Sequence, residues 1–306
     1  MDFDKNIDPR DDEEETLAVV YRGSYEDTPD VRSLSIEEGI EEIAENAFRD
    51  FQYLEEIYLP RSIKKISACA FSGCKNLSKV VLEAGITEIL DEAFSSCPRL
   101  TEIRIPDTVS RIGEGCFEGC ASLTRVKLSE SVYMIGASAF AFCFNLTEIT
   151  VPDSCVLVEF NAFANCFALE EATLSKNMAL IDESLFEGCR SLKRVDMPAG
   201  LIKIGRRAFK DCAALEQIIL PVGLGSVGFD AFAGCASLRR IAIPKELREL
   251  EDEDVFGACD SLSEISFGGS REEWEMLCHG KTITVEKSDA SVSIPKIIFL
   301  NLKNEV

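Results

Sequence analysis

The chain has 306 residues, 46% of them hydrophobic, and a formal net charge of −22 at pH 7. A field of this sign repels phosphate backbones and anionic lipid headgroups, so nucleic acids and membrane surfaces are poor candidates for partners. No stretch approaches the roughly 18 apolar residues that a bilayer-spanning helix needs, which argues against membrane insertion.

The negative charge is concentrated at the N-terminus. Residues 1–45 hold sixteen acidic and four basic side chains and so carry −12, which leaves −10 for the rest of the chain. Residues 1–15 also lack hydrophobic periodicity, which predicts a disordered acidic arm. No signal peptide is visible there, so we expect a cytoplasmic protein if Met1 is the native start. The alternative is a secreted or cell-surface protein whose leader has been removed.

Residues 16–30 are predicted to form an N-terminal cap. The stretch 16–21, TLAVVY, has the composition of a β-strand, and Gly23 and Pro29 mark turns after it. From Val31 onward the apolar residues fall on the positions of a repeat, so the cap ends at residue 30.

A 23-residue repeat occupies residues 31–268. Its marker is a phenylalanine that recurs every 23 residues, with one extra residue before the last copy: Phe48, Phe71, Phe94, Phe117, Phe140, Phe163, Phe186, Phe209, Phe232 and Phe256. Cysteine follows three residues later in nine of the ten repeats, and leucine follows six residues later in all ten. Such a period predicts a right-handed solenoid of stacked units, mostly parallel β with short turn or 3₁₀ segments, about ten rungs and terminal caps.

Each repeat contains two predicted strands. The longer one follows the leucine, and in residues 123–128 (LTRVKL) its side chains alternate between apolar and charged. A shorter strand centres on the residue five before the marker, such as Ile112, and the stretch around the marker is too short for a regular helix. Stacking predicts parallel, in-register strands about 4.8 Å apart. The extra residue of the last repeat predicts a bulge at residues 251–254.

The outward position eight residues after each marker alternates in sign between many neighbouring repeats. Five acids and four bases occupy it in ten repeats. Opposite charges one strand spacing apart stabilise a sheet by roughly 0.2–1 kcal/mol each. We therefore interpret this column first as a structural ladder and second as a ligand-binding face.

Residues 269–306 are predicted to form the C-terminal cap. Ser270 and Glu273 have the spacing of a capping box, so a short helix should begin there. Trp274, the single tryptophan, is then placed to cover the open end of the core. The stretches 282–287 (TITVEK) and 294–302 (IPKIIFLNL) are predicted to be strands of the same cap.

Residues 105–128, IPDTVSRIGEGCFEGCASLTRVKL, resemble the BspA-type leucine-rich repeat. The resemblance covers roughly residues 17–285, and the end segments LAVVYRG and FGGSREEWEML are similar to the family's terminal segments. It implies a curved leucine-rich-repeat solenoid with a role in protein recognition or adhesion, often in bacterial surface proteins.

No constellation of catalytic residues is apparent, so we expect a non-catalytic protein without cofactor or metal. His279 is the only histidine, and its neighbour Cys278 lacks a third orienting group nearby. The nine repeat cysteines behave as small buried residues and are predicted to be thiols because burial disfavours oxidation. No paired CxxC spacing typical of a zinc site is present.

Two hypotheses for function remain open. The first is a protein-interaction module, and the second is a structural or adhesive surface protein whose elongated shape is its function. Four extra phenylalanines on two adjacent rungs, Phe142, Phe144, Phe160 and Phe167, stand where other repeats carry mostly small, polar or charged residues. We predict that they form a contact patch for a protein partner or a second copy of the chain. The alternative is that they fold back on one another and thicken the local core.

Overall fold

The computed structural model describes residues 16–17, 31–251, 253–279, 283, 285–288 and 291–300. The acidic arm and all of the N-terminal cap except Thr16 and Leu17 lie outside the described residues. In chain order the strands are β1 (Thr16–Leu17), β2 (Ser33–Ser35), β3 (Glu42–Ile43), β4 (Glu56–Leu59), β5 (Lys65–Ile66), β6 (Lys79–Leu82), β7 (Glu88–Ile89), β8 (Glu102–Arg104), β9 (Arg111–Ile112), β10 (Arg125–Lys127), β11 (Met134–Ile135), β12 (Glu148–Thr150), β13 (Leu157–Val158), β14 (Glu171–Thr173), β15 (Leu180–Ile181), β16 (Arg194–Asp196), β17 (Lys203–Ile204), β18 (Gln217–Ile219), β19 (Ser226–Val227), β20 (Arg240–Ile243), β21 (Glu249–Leu250), β22 (Glu264–Phe267), β23 (Val285–Glu286), β24 (Val292–Ser293) and β25 (Lys296–Phe299). A 3₁₀ helix spans Glu253–Phe256, and one α-helix, α1, spans Arg271–Leu277.

The chain winds into a parallel β-solenoid. We number its rungs 1 to 10 after the marker residues Phe48 to Phe256. Each rung has a short strand, a turn segment that carries the marker, and a long strand. Strands of neighbouring rungs pair in parallel with a register of 23 residues, as in Glu102 opposite Arg125. The solenoid with in-register parallel strands that the period predicts is therefore confirmed.

The turn segments stack through backbone hydrogen bonds. The marker N–H donates to the carbonyl of the residue before the next marker, as from Phe71 to Ala93 at 2.8 Å. In the last rung the acceptor is Val255, at 3.1 Å from the Phe232 nitrogen, because the extra residue shifts the spacing by one. The 3₁₀ helix lies in this rung, where a bulge was expected, although residue 252 is outside the described residues.

Each turn places the residue two after the marker in the left-handed backbone region. The φ angles there lie between 53° and 77°: Asp50, Gly73, Ser96, Gly119, Phe142, Asn165, Gly188, Asp211, Gly234 and Ala258. Glycine, asparagine and aspartate tolerate this conformation best, which explains the composition of the column.

The core is a stack of marker rings. Neighbouring rings lie 5.2 to 6.0 Å apart between centroids and are close to parallel along the whole series from Phe48 to Phe256. All ten rings are buried, within a single hydrophobic cluster that reaches from Val31 to Val285. Because each of the eight inner rings is covered on both faces by neighbouring marker rings, no rung can bury its own apolar surface alone.

Cysteine suits its repeat position because its thiol meets a buried carbonyl. We call the nine repeat cysteines the ladder cysteines. The Sγ of each donates to the carbonyl oxygen of the marker phenylalanine in the preceding rung at 3.1 to 3.3 Å, as from Cys120 to Phe94 at 3.2 Å. Alanine would lack this donor, and serine would bury a more strongly polar group. All thirteen cysteines are free thiols in the structure.

The C-terminal end of the stack is covered by α1 and β25. Ser270 Oγ accepts from the Glu273 backbone nitrogen at 3.3 Å, and the Ser270 N–H donates to the Glu273 carboxylate at 2.7 Å. The capping box and the helix that it predicts are thus confirmed. Trp274 is buried with its ring 5.2 Å from that of Phe267. β25 extends the long-strand side by pairing in parallel with β22.

The charged column on the long strands is only partly a ladder of ion pairs. Lys79 reaches Glu56 at 3.3 Å and Arg125 reaches Glu102 at 2.7 Å, in both cases between neighbouring rungs. Glu148, in contrast, stands directly opposite Glu171. The ion pairs are solvent-exposed, and each contributes about 0–1 kcal/mol to stability.

Candidate protein-binding surface

Three of the four extra phenylalanines form one exposed cluster on the turn side of rungs 5 and 6. The Phe144 ring stacks on that of Phe167 with centroids 4.9 Å apart, and the Phe142 ring meets Phe144 edge-on at 6.2 Å. We call Phe142, Phe144 and Phe167 the aromatic ridge. Phe142 remains 40% exposed and Phe144 38%, while Phe167 is half-buried. The ridge lies outside the hydrophobic core cluster.

Phe160 is placed apart from the ridge. It follows the short strand β13 by two residues, is 47% exposed and makes no ring contact with another described aromatic residue. Its carbonyl accepts a hydrogen bond from the Ser138 backbone nitrogen at 3.0 Å. The four residues named from the sequence are therefore all outside the core, but the structure joins only three of them.

The backbone of Phe142 is strained. It has a φ of 60° at a position where the other nine rungs carry only glycine, asparagine, aspartate, serine or alanine. A bulky side chain in the left-handed region costs roughly 1–2 kcal/mol. Glu92 and Arg207, each two residues before a marker, share this backbone conformation, so the unusual feature of Phe142 is its bulky ring and not the angle itself.

Arg190 extends the ridge by one rung. Its guanidinium carbon lies 4.8 Å from the centre of the Phe167 ring, which is cation–π geometry. Sequence reasoning missed this residue, although Phe144, Phe167 and Arg190 occupy the same repeat position in three successive rungs. Aromatic residues and arginine are the side chains most enriched at the energetic centres of protein interfaces.

The long-strand face carries two shallow grooves of about 460 and 490 Å³. The first lies over β8 and β10, between Glu102, Arg104, Arg125 and Lys127, and the second continues from Lys127 to Thr173. Both are lined by charged and polar side chains together with parts of valine and leucine. Enclosed apolar pockets with a few convergent polar groups are typical of small-molecule sites, and these open grooves differ from that pattern.

The Cys278 and His279 pair lacks the features of a nucleophile and its base. Burial raises the pKa of the Cys278 thiol to about 11, which keeps the thiol protonated at neutral pH. The described residues hold no group of three or more His, Cys, Asp or Glu side chains placed to bind a metal ion. Among them there is also no helix with the length and hydrophobicity to cross a bilayer.

The family model for the BspA type leucine rich repeat region matches the chain in overlapping segments at residues 18–132, 87–216 and 179–297. The chain belongs to this family. No sequence among the curated proteins matches it.

Solved structures similar to this BspA-type chain include leucine-rich repeat proteins from three bacteria. A leucine rich cell surface protein from Faecalibacterium prausnitzii is 26% identical, with a TM-score of 0.46 over 81% of this chain and 82% of its own. A leucine-rich repeat protein from Bacteroides ovatus is 24% identical, with a TM-score of 0.47 over 89% and 84%. The leucine rich repeat protein of T. pallidum is 24% identical, with a TM-score of 0.45 over 69% and 79%.

Proposed function

We propose that this BspA-type solenoid is a non-catalytic protein-interaction module that binds a protein partner through the aromatic ridge. The observation that carries the proposal is the exposed cluster of Phe142, Phe144 and Phe167 on the outside of a fold whose other rungs hold no aromatic residue at these positions. Burying such rings against a partner removes roughly 150–250 Å² of surface for each of them.

The chemistry of the ridge suits a partner with an apolar centre and polar surroundings. Phe144 and Phe167 form a stacked pair of rings, and the guanidinium group of Arg190, which lies over the Phe167 ring, adds hydrogen-bond donors at that end of the stack. Phe160 lies on rung 6, as Phe167 does, and would enlarge the contact without touching the ridge itself. The strain at Phe142 supports the proposal as well, since stability alone would favour glycine there.

A second candidate is a structural or adhesive surface protein that attaches through many weak contacts along its length. The resemblance to repeat proteins of bacterial surfaces supports this candidate and, with it, a secreted or cell-surface location. In that case no single rung would dominate attachment. The experiment below separates the two candidates.

Changing Phe144 and Phe167 together to Ser should abolish capture of the partner and leave folding intact. Purified full chain and variant are used as baits on separate cytosolic and cell-surface extracts of the source cells, and bound proteins are quantified by mass spectrometry. The wild type should capture one stoichiometric protein, and the extract that supplies it indicates where the chain works. The melting temperature of the variant should change by only about 2 °C because both rings lie outside the core.

Phe229→Ser is the matched control, because Phe229 is another exposed phenylalanine, on rung 9, and lies against Arg206 at 5.4 Å. It should retain capture. Equal capture by the wild type and the double variant would contradict the ridge proposal. Attachment to many surface components, reduced slightly by every variant, would favour the adhesive candidate.

A further inference from the structure

The outer face of the short strands changes character in the middle of the solenoid. Two columns form this face, namely the first residue of each short strand and the residue before it. In rungs 1 to 4 every residue of both columns is polar or charged: Glu41, Glu42, Lys64, Lys65, Thr87, Glu88, Ser110 and Arg111. From rung 5 to the start of rung 8 every residue is apolar: Tyr133, Met134, Val156, Leu157, Ala179, Leu180 and Ile202. We call these seven residues the short-strand patch.

The fold itself does not require apolar residues in the short-strand patch. Tyr133 is 48% exposed, Val156 56% and Ile202 59%, while the second residue of each short strand fills the core instead. The polar residues of rungs 1 to 4 occupy equivalent positions on the same kind of strand. A contiguous exposed apolar patch on a soluble protein marks an interaction surface.

We propose that the short-strand patch binds a second copy of this chain to form a two-fold symmetric dimer. In such an interface the same patch must be complementary to itself. A two-fold axis that runs parallel to the strands, between β13 and β15, makes each rung of one copy face a fixed rung of the other. Rung 6 then faces rung 7, and rung 5 faces rung 8.

This axis matches six of the seven patch residues with apolar partners. Leu157 faces Leu180 of the second copy, Val156 faces Ala179, and Tyr133 faces Ile202. The large Tyr133 and Ile202 side chains meet at the two ends, and the smaller Val156 and Ala179 meet near the axis. β13 and β15 also belong to different short-strand sheets, so the axis coincides with an interruption in the hydrogen-bonded ladder.

The charged residues next to the patch favour the same arrangement. Arg111 on rung 4 faces the uncharged Ser226 on rung 9 of the second copy. Met134 faces Lys203, whose aliphatic stem can cover an apolar neighbour while its ammonium group stays in water. The other in-plane axis, along the solenoid, would instead set Arg111 against Arg111 and Lys203 against Lys203. Like charges so placed are unfavourable.

The dimer should strengthen as salt is added. Each copy has a formal net charge of −22, so two copies repel each other. Added salt screens this repulsion and shortens its range. The proposed contact contains no ion pair that salt would weaken. A dimer held by charge pairs would show the opposite dependence.

Sedimentation equilibrium of the full chain across the micromolar range tests the proposal. The wild type should exist in a monomer–dimer equilibrium. Its dissociation constant should decrease when the salt concentration is raised from low to moderate. Tyr133→Ser with Ile202→Ser should raise that constant at least ~10-fold, since each change removes an exposed apolar contact. Leu157→Asp should leave only monomer, with circular dichroism as the check on folding.

Glu41→Ser with Lys64→Ser is the matched control, because it changes the same column outside the patch, and it should dimerise like the wild type. Phe144→Ser with Phe167→Ser should also dimerise, which separates this proposal from the function proposed for the aromatic ridge. A wild type that stays monomeric at the highest concentration would overturn the proposal. So would a dimer that the patch variants do not weaken.

Discussion

Raising the pH from 7 to 10 is expected to destabilise the protein strongly. Nine ladder thiols are buried in the core, and burial raises the pKa of Cys120, Cys166 and Cys259 to about 12. The pKa of Cys143 and Cys189 is also raised well above the usual thiol value by burial. These groups stay protonated in the folded state at a pH at which an unfolded chain would already lose their protons.

The direction of the effect follows from proton linkage. Above a pH of about 8.5 the unfolded state binds fewer protons than the folded state, so the free energy of unfolding falls as the pH rises. The loss continues until the folded-state pKa is reached, and each thiol contributes about 1.4 kcal/mol per pH unit. Three thiols with a pKa near 12 together lower the free energy of unfolding by about 4 kcal/mol per pH unit, which is a large fraction of the roughly 5–15 kcal/mol that stabilises a whole domain.

Urea denaturation at a series of pH values from 7 to 10 measures this slope, with circular dichroism as the readout. Changing Cys120 and Cys166 to Ala should reduce the slope by about 3 kcal/mol per pH unit, even though each change also lowers stability at neutral pH. Cys69→Ala is the control outside the ladder and should reduce the slope less, because this thiol is only partly buried, although burial raises its pKa too. A stability that does not depend on pH in this range, or an unchanged slope in the double variant, would contradict the buried-thiol account.

Phe163→Ala is expected to destabilise the protein by about 3–5 kcal/mol, which is typical of a large aromatic residue removed from a core. Phe163 is fully buried and stacks between Phe140 and Phe186, with ring centroids 5.7 Å away on both sides. Its removal leaves a cavity in the middle of the stack and uncovers two neighbours at once. Equilibrium unfolding in urea measures the change.

Phe160→Ala is the matched control, since Phe160 lies three residues earlier in the chain and is half exposed. It should change the free energy of unfolding by less than about 1 kcal/mol. Similar losses for the two variants would mean that the marker column does not carry the core. A broad unfolding transition for Phe163→Ala alone would show that the stack separates into two parts at rung 6.

The core could be predicted from the sequence because a buried column in a solenoid repeats with the period of the chain. The spacing alone predicts that the marker phenylalanines and the ladder cysteines are buried. The spacing of Ser270 and Glu273 likewise predicts the start of α1. Local rules suffice in each of these cases. The hydrogen bond from each ladder thiol to a marker carbonyl was not predictable, because it depends on the distance between two rungs.

The surface was harder to predict because its features depend on backbone angles and side-chain directions. The left-handed column explains why Phe142 is unusual, and no sequence rule gives that angle. Phe160 is close to the aromatic ridge in the repeat, yet only Phe142, Phe144 and Phe167 are joined by ring contacts, and spacing alone does not distinguish the two cases. The apolar run from Tyr133 to Ile202 is visible in the repeat alignment, but its meaning requires knowing which short-strand residues point outward.

Site-specific photocrosslinking inside the source cells tests the interaction role of the aromatic ridge most directly. p-Benzoylphenylalanine has a phenylalanine-like ring and can replace Phe144, with Ala213 as the control, because Ala213 occupies the same repeat position on rung 8. Irradiation should attach one discrete protein to the chain through position 144 and none through position 213. Identical products at both positions, or no product at 144, would contradict the account.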